Sequence, residues 1–392
     1  MNRARTLRRT LLALPALLAL GLLGCAPEPV PEPAPAATGQ PTESAAPEPS
    51  ATPGSHDPAP ELLLASLAQS DAVAVIDPAA PESEAVDLIT VGAAPWGVGV
   101  HTSDGGAVTA YAATAEGLAV IDVAAGERTA LVPYSQPVPE VSYGEYRPGG
   151  LGLAVSPDGA RVYVAITTGS GDAVLDVVDT ASAKVIGSVP VGMRPFDVLV
   201  APDGSWAATV DHDSFTVTVV DAATLEPTVH EVAPFGTVGG LASWEKPHYG
   251  AVANDGTILL PYQGQIVVGL DPRTGATRTV TSEANSHSHG TALAGSRLLT
   301  VGTGAFGSAT GSPNLSILDL ETGTEQVLPL ALPHETVAAW HDAAGAEYAA
   351  VAGGNTRAEG WDGITLVALD DLSTREIPVA GYPQAIVGFT AP

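Results

Sequence analysis

Histidine is the side chain in this sequence best suited to chemistry, and its placement is informative. Four of the nine histidines fall in three short segments: Lys246-Pro247-His248-Tyr249-Gly250, His287-Ser288-His289-Gly290 and Pro333-His334-Glu335. Three imidazoles with a carboxylate or a water suit zinc, which takes nitrogen ligands at about 2.0–2.1 Å in a tetrahedron. The candidate metal ligands are therefore His248, His287, His289, His334 and Glu335, with Asp197 and Glu245 as further carboxylates. In extended chain His287 and His289 point the same way, so both could ligate, or one could support the other from behind. A histidine can also close a turn by bonding its own backbone, and residue type alone does not separate the two uses.

What brings these segments together is a repeat. Pro opens an apolar stretch at Pro95, Pro148, Pro195, Pro247, Pro333 and Pro383, and His287 to Gly290 fills the one gap. Seven units of roughly 50 residues suit a propeller of four-stranded blades. The unit is plainest from Arg147, where Gly150–Val155, Arg161–Ile166, Ala173–Asp179 and Lys184–Val191 read as four strands. Asp77, Asp122, Asp179, Asp221, Asp271, Asp319 and Asp370 end the third strands, where a short polar side chain can close a turn. The strands are rich in Val, Ile, Leu and Ala, as blades covered on both faces require. Pro383–Phe389 reads as a first strand with nothing after it. Leu62–Leu67, Asp71–Asp77 and Ala85–Val91 read as second to fourth strands with nothing before them. Pairing the C-terminal strand with these N-terminal strands completes the seventh blade and leaves no long open edge.

In such a ring the first strand of each blade lines the central channel, and the turns leading into these strands ring one mouth. Trp96, Asp197, Tyr249 and Gln384 are then channel-mouth contacts for a ligand, on the same rim as the histidines. His101 and His341 end first strands and fall at the opposite mouth. Asp211-His212-Asp213 reads as a solvated turn toward the outside of a blade, and His230 as a structural residue of an outer strand. Two connections exceed a plain turn, 133–148 and 234–246, and long loops on a rigid repeat either carry function or pack over the rim.

Pro157-Asp158-Gly159, Val162-Tyr163-Val164-Ala165 and Val177-Val178-Asp179-Thr180 resemble the YVTN-type seven-bladed propellers, most strongly from Gly150 to Gly204. That resemblance implies the fold and leaves activity open. A second, local one covers roughly 246–295 and the C-terminus. Lys246-Pro247-His248-Tyr249-Gly250, His289-Gly290 and Gly381-Tyr382-Pro383-Gln384-Ala385-Ile386-Val387-Gly388-Phe389 are similar to the AztD-type periplasmic zinc metallochaperones. It implies a zinc-binding propeller that hands metal to the binding protein of an ABC transporter. The sequence departs from that pattern in lacking an acidic or His-rich metal-capturing run, His56-Asp57 being the nearest feature.

The ends and composition frame the setting. Residues 1–24 are expected to be a lipoprotein signal peptide, with a basic start, an apolar Thr10–Leu23 and then Leu22-Leu23-Gly24-Cys25. Its end resembles a bacterial lipobox, which implies cleavage before Cys25 and lipid on its sulfur. Cys25 is the one cysteine, so disulfides, CxxC sites and a buried thiol nucleophile are excluded. Residues 25–60 carry that cysteine and a Pro/Ala/Glu-rich tether that cannot bury enough apolar surface to fold. The propeller is expected over 61–392. The chain carries a net charge of −28, which repels nucleic acid. The expectation is an extracytoplasmic, membrane-anchored, monomeric, non-catalytic binding protein. Its partners would be the membrane, through the lipid, and a metal-transporter binding protein; its ligand would be zinc or another divalent metal. GxSxG, HExxH and GxxxxGK[ST] are absent. A metal-assisted lactonase or lyase on the same rim, and a protein-interaction scaffold, are the alternatives.

Overall fold

A computed structural model describes residues 61–144, 146–233, 246–284, 290–302, 312–332, 334–353 and 362–391. The signal peptide, Cys25, the tether with His56-Asp57, most of the 234–246 loop, His287, His289 and Pro333 lie outside the described residues. Among the described residues no helix is long and apolar enough to cross a membrane.

The described chain forms seven four-stranded antiparallel sheets, each in simple meander order. The inner strands of blades 1 to 6 are Val98–Thr102, Gly149–Val155, Pro195–Val200, Ala251–Val252, Thr291–Ala294 and Thr336–His341. Each inner strand touches the next around the ring, and that of blade 7, Pro383–Thr390, touches both blade 6 and blade 1. Blade 7 is closed as expected: Pro383–Thr390 pairs antiparallel with Glu61–Leu67, with Leu62 opposite Phe389 and Ala65 opposite Ile386. The expected seven-bladed, all-β ring is the observed one.

Alternation along the strands explains why apolar residues run unbroken. Leu63 packs into the core shared with blade 6 and Leu64 into the core shared with blade 1, so both faces of one strand are buried. At the axis the inner strands approach so closely that side chains do not fit. A Cβ on Gly152 would lie 2.7 Å from the Phe196 carbonyl oxygen. The residue before the opening proline takes a left-handed φ at Ala94 (47°), Arg194 (51°) and Tyr382 (58°), a recurring turn into the inner strand.

Most of the turn aspartates behave as expected. Asp122, Asp179, Asp221, Asp271 and Asp319 each accept a backbone N–H from two or three residues ahead. In blade 6 the job falls to Asp371, which accepts from Ser373, and not to Asp370. The 133–148 connection packs over the rim. Tyr134 donates to the Thr114 carbonyl at 2.9 Å, and Ser135 bonds the buried Asp176 through both its N–H and its hydroxyl. Arg147, 2% exposed, donates to the carbonyls of Ala94 (2.7 Å) and Gly150 (2.6 Å), locking the loop to blade 1.

Candidate functional site at the channel mouth

The inner strands enclose an axial cavity of about 160 Å³ to which every blade contributes. Trp96, Asp197, Tyr249 and Gln384 all line it, together with Thr291 and Thr336. Asp197 is held by backbone donors on both oxygens, Val198 N–H to Oδ1 and Gly250 N–H to Oδ2, each at 2.9 Å. Burial pushes its carboxyl up to about 7, against the pull of those two N–H groups. By surface area Asp197 is only partly buried, because one side borders the channel. Water there moderates the cost of its charge.

Above Asp197 lies a cluster built from the turns of blades 2, 3 and 4. The His248 ring is fully buried, stacked on Phe196 at 4.2 Å and on its neighbour Tyr249 at 4.8 Å between centroids. The ring of His212 lies 4.6 Å from that of His248. His212 is 4% exposed, which corrects the reading of Asp211-His212-Asp213 as a solvated turn at the outside of a blade. Antiparallel order gives the reason. An inner strand that starts at the mouth sends its second strand back to the mouth, so the turn after the second strand lies there too. The backbone records this contact, with His212 N–H donating to Arg194 O and Asp213 N–H to Met193 O.

His212 is oriented by its neighbours. Its Nδ1 lies 2.8 Å from Asp213 Oδ1, and its Nε2 lies 3.1 Å from the side-chain nitrogen of Gln263. With the Gln263 amide donating to Nε2, the neutral ring carries its proton on Nδ1 and gives it to Asp213. Asp213 also pairs with Arg194 at 2.7 Å. Burial raises the Asp213 carboxyl, but the hydrogen bond from His212 and the charges of Arg194 and Lys246 outweigh it, leaving it below its ordinary value. Arg194 lies over the Tyr146 ring at 4.9 Å, which ties the 133–148 loop into the cluster. Lys246 is 5% exposed, with its ammonium 5.2 Å from the centre of the Phe215 ring.

The other expected ligands sit differently. His334 is buried, its Nδ1 2.7 Å from the Leu332 carbonyl and its Nε2 3.3 Å from Thr365 Oγ1. Burial lowers its pKa to about 4, the Leu332 bond opposing, so the ring is neutral at physiological pH. Glu335 uses its backbone to join blades 5 and 6, with Gly290 N–H donating to its carbonyl at 2.8 Å. Among the described residues no three His, Cys, Asp or Glu side chains form a group that could hold a metal ion. His248, His334 and Glu335 therefore do not make such a site by themselves. Sequence reading missed His212, Asp213, Arg194 and Gln263. The available signal was the topological one, since Gln263 follows the second strand of blade 4 as His212 follows that of blade 3.

Larger clefts of about 380 and 570 Å³ open between blades 3 and 4 and between blades 2 and 3. Their carboxylates Asp203, Asp255 and Asp271 are engaged by local backbone N–H groups as turn formers, so the mouth remains the better candidate.

No protein-family profile matches the chain, and no curated protein matches it. Among solved structures, "Kuenenia stuttgartiensis Hydrazine Synthase" is similar at 19% identity over 69% of this chain and 80% of that one, with a TM-score of 0.48. "Dihydro-heme d1 dehydrogenase NirN in complex with DHE" is similar at 17% identity over 68% of this chain, with a TM-score of 0.47. The match spans 52% of that second chain, about half its length. The blade count, meander order and closing strand identify the chain as an all-β, seven-bladed propeller.

Proposed function

We propose that this propeller is a lipid-anchored extracytoplasmic binding protein that takes a divalent metal of the zinc class as cargo at the channel mouth. The observation that carries this reading is the buried His212–His248 pair, with ring centres 4.6 Å apart and Asp213 behind His212. An imidazole that ligates a metal usually donates its other ring nitrogen to a carboxylate or carbonyl, which orients the ring and raises its basicity. Two imidazoles are too few for a tight zinc site, and His287 or His289, on the turn into the next inner strand by sequence, would complete the set. The resemblance of residues 246–250 and 289–290 to the zinc metallochaperones supports the same ligand class. Ligation by His212 would use Nε2, with the Gln263 amide displaced by the metal while Nδ1 stays on Asp213; His334 lies outside the His212–His248 pair, with its ring nitrogens on Leu332 and Thr365. Anchoring through Cys25 would keep the site at a membrane, next to a transporter's binding protein.

The test is zinc titration of metal-free protein made without a His-tag, monitored by calorimetry. Stoichiometric binding is expected in the wild type and in His334→Ala, with loss of at least about tenfold in affinity for His212→Ala and His248→Ala. Absence of stoichiometric binding in the wild type, or unchanged affinity in His212→Ala and His248→Ala, refutes the reading.

A further inference from the structure

Three inner strands carry an extra residue where they border the axial cavity. These bulges fall between Gly150 and Leu153 in blade 2, between Pro195 and Asp197 in blade 3, and between Pro383 and Ile386 in blade 7. Gly152, Phe196 and Gln384, which lie within them, all line the cavity. A bulge re-aims side chains and is common beside functional sites. The wall is mostly aromatic and aliphatic, and no Lys, Arg or His is among the described residues that line it. Two polar groups in it have unused bonding capacity. Trp96 Nε1–H is fully buried and has no hydrogen-bond partner among the described residues. Each Asp197 oxygen accepts one backbone N–H, from Val198 or Gly250, and a carboxylate oxygen has two lone pairs. Thr291 is not a third such group, since its hydroxyl is engaged with Leu299 and Thr300. Trp96 and Asp197 are within the span of one small molecule. A Cβ on Gly97 would lie 3.2 Å from the Gly152 carbonyl carbon, and one on Gly152 would lie 2.7 Å from Asp197 Cα. A single strand therefore separates the two backbones, and Trp96, Leu151 and Phe196 pack in one cluster.

We propose that the axial cavity binds a small organic ammonium compound bearing an oxygen, such as an N-alkyl amino alcohol. Its N–H⁺ would sit on the Asp197 carboxylate, its alkyl groups against Trp96, Phe196 and Tyr249, and its oxygen would accept from Trp96 Nε1. One carboxylate in an aromatic wall selects this class. A metal ion needs a shell of several ligand atoms, whereas an alkyl ammonium needs one counter-charge and apolar surface, and aromatic rings attract such cations. A neutral ligand would leave the buried carboxylate without a counter-charge. An anion would meet Asp197 and no cationic side chain. Size agrees: the cavity is about 160 Å³, and one of about 150 Å³ holds a molecule of benzene's size. The burial that pushes Asp197 up to about 7 also strengthens its attraction for a cation brought against it. The site uses no histidine, so it does not depend on the metal proposed at the mouth.

The full chain, purified in detergent with EDTA, is titrated at about pH 8, where Asp197 is mostly ionised and an alkyl amine is protonated. The probe is 2-(dimethylamino)ethanol, and its neutral isostere is 3-methylbutan-1-ol. Binding is followed by saturation-transfer NMR, with sodium chloride holding ionic strength equal. The wild type is expected to bind the amine in the millimolar range or tighter. Both the alcohol on wild type and the amine on Asp197→Asn should bind at least about tenfold more weakly, and the amine on Trp96→Phe should bind a few-fold more weakly. No binding of the amine to wild type overturns the proposal, as does equal affinity for amine and alcohol or undiminished affinity in Asp197→Asn. Because EDTA is present, these outcomes stand whether or not the mouth binds zinc. A measurement independent of any variant's folding is the crystal structure of the wild type soaked with the amine. Its nitrogen is expected against the Asp197 carboxylate, and an axial cavity holding only water refutes the assignment.

Discussion

Phe389→Ala tests the closure on which every functional distance depends. Phe389 is 5% exposed and lies on the C-terminal strand opposite Leu62. It packs into the core between blades 7 and 1 with Leu64, Ile89, Val108 and Ile121. Removing about 150 Å² of buried aromatic surface costs about 4 kcal/mol at 25 cal/mol per Å², in line with the ~3–5 kcal/mol typical of Phe→Ala in a core. A domain of about 330 residues unfolds with an entropy near 2.1 cal/mol/K per residue, so the midpoint should fall by roughly 5 °C. The control is Leu88→Ala on the outer strand of the same blade. Leu88 is 61% exposed, and its loss should stay within about 0.5 kcal/mol. Differential scanning calorimetry of both variants decides the matter. A Phe389→Ala midpoint within 1 °C of wild type, at about the calorimeter's reproducibility and far below the expected shift, would show that the C-terminal strand does not clamp the ring.

Three further outcomes follow from the same structure. Asp197 and Asp211 have folded pKa values raised to about 7 and 6, so the native state holds their protons more tightly than the unfolded chain. Their contribution is greatest at low pH and is lost as pH rises toward 7, whereas His334, lowered to about 4, adds stability that is lost as pH falls below its ordinary value. Urea denaturation at about pH 5 and pH 8 should show the wild type losing about 1–3 kcal/mol relative to Asp197→Asn on going to the higher pH, the upper end moderated by channel water; parallel pH profiles would refute the assignment. Arg147→Met strips donors from the buried carbonyls of Ala94 and Gly150 and should cost about 2–4 kcal/mol in chemical denaturation, with Arg147→Lys recovering less than half because an ammonium lacks the guanidinium fork. Cys25→Ser should move the protein from the membrane fraction to the soluble extract, and retention of the Ser variant on membranes would contradict lipid anchoring at that residue.

The ring itself was legible in the sequence because its causes are local and repeated. Most blades restate the same opening proline and the same turn aspartate, and hydrogen bonds such as Ala125 N–H to Asp122 reach only a few residues. The split closing blade was legible for the same reason, as a first strand at one end and its three missing partners at the other. Convergence of Trp96, Asp197, Tyr249 and Gln384 on one cavity followed from equivalence in the repeat. Only the tertiary structure decided what each rim side chain touches, because that depends on contacts between neighbouring blades. Inter-blade packing stacks His248 on Phe196 and sets it beside His212, a residue from the turn after a second strand. It turns His334 toward Leu332 and Thr365 of its own neighbourhood. Composition and period assign a residue to a strand and a strand to a blade. The close approach of seven inner strands about one axis sets Asp197 against the channel and stacks His248, with His212 beside it, on Phe196 and Tyr249 of the same lining.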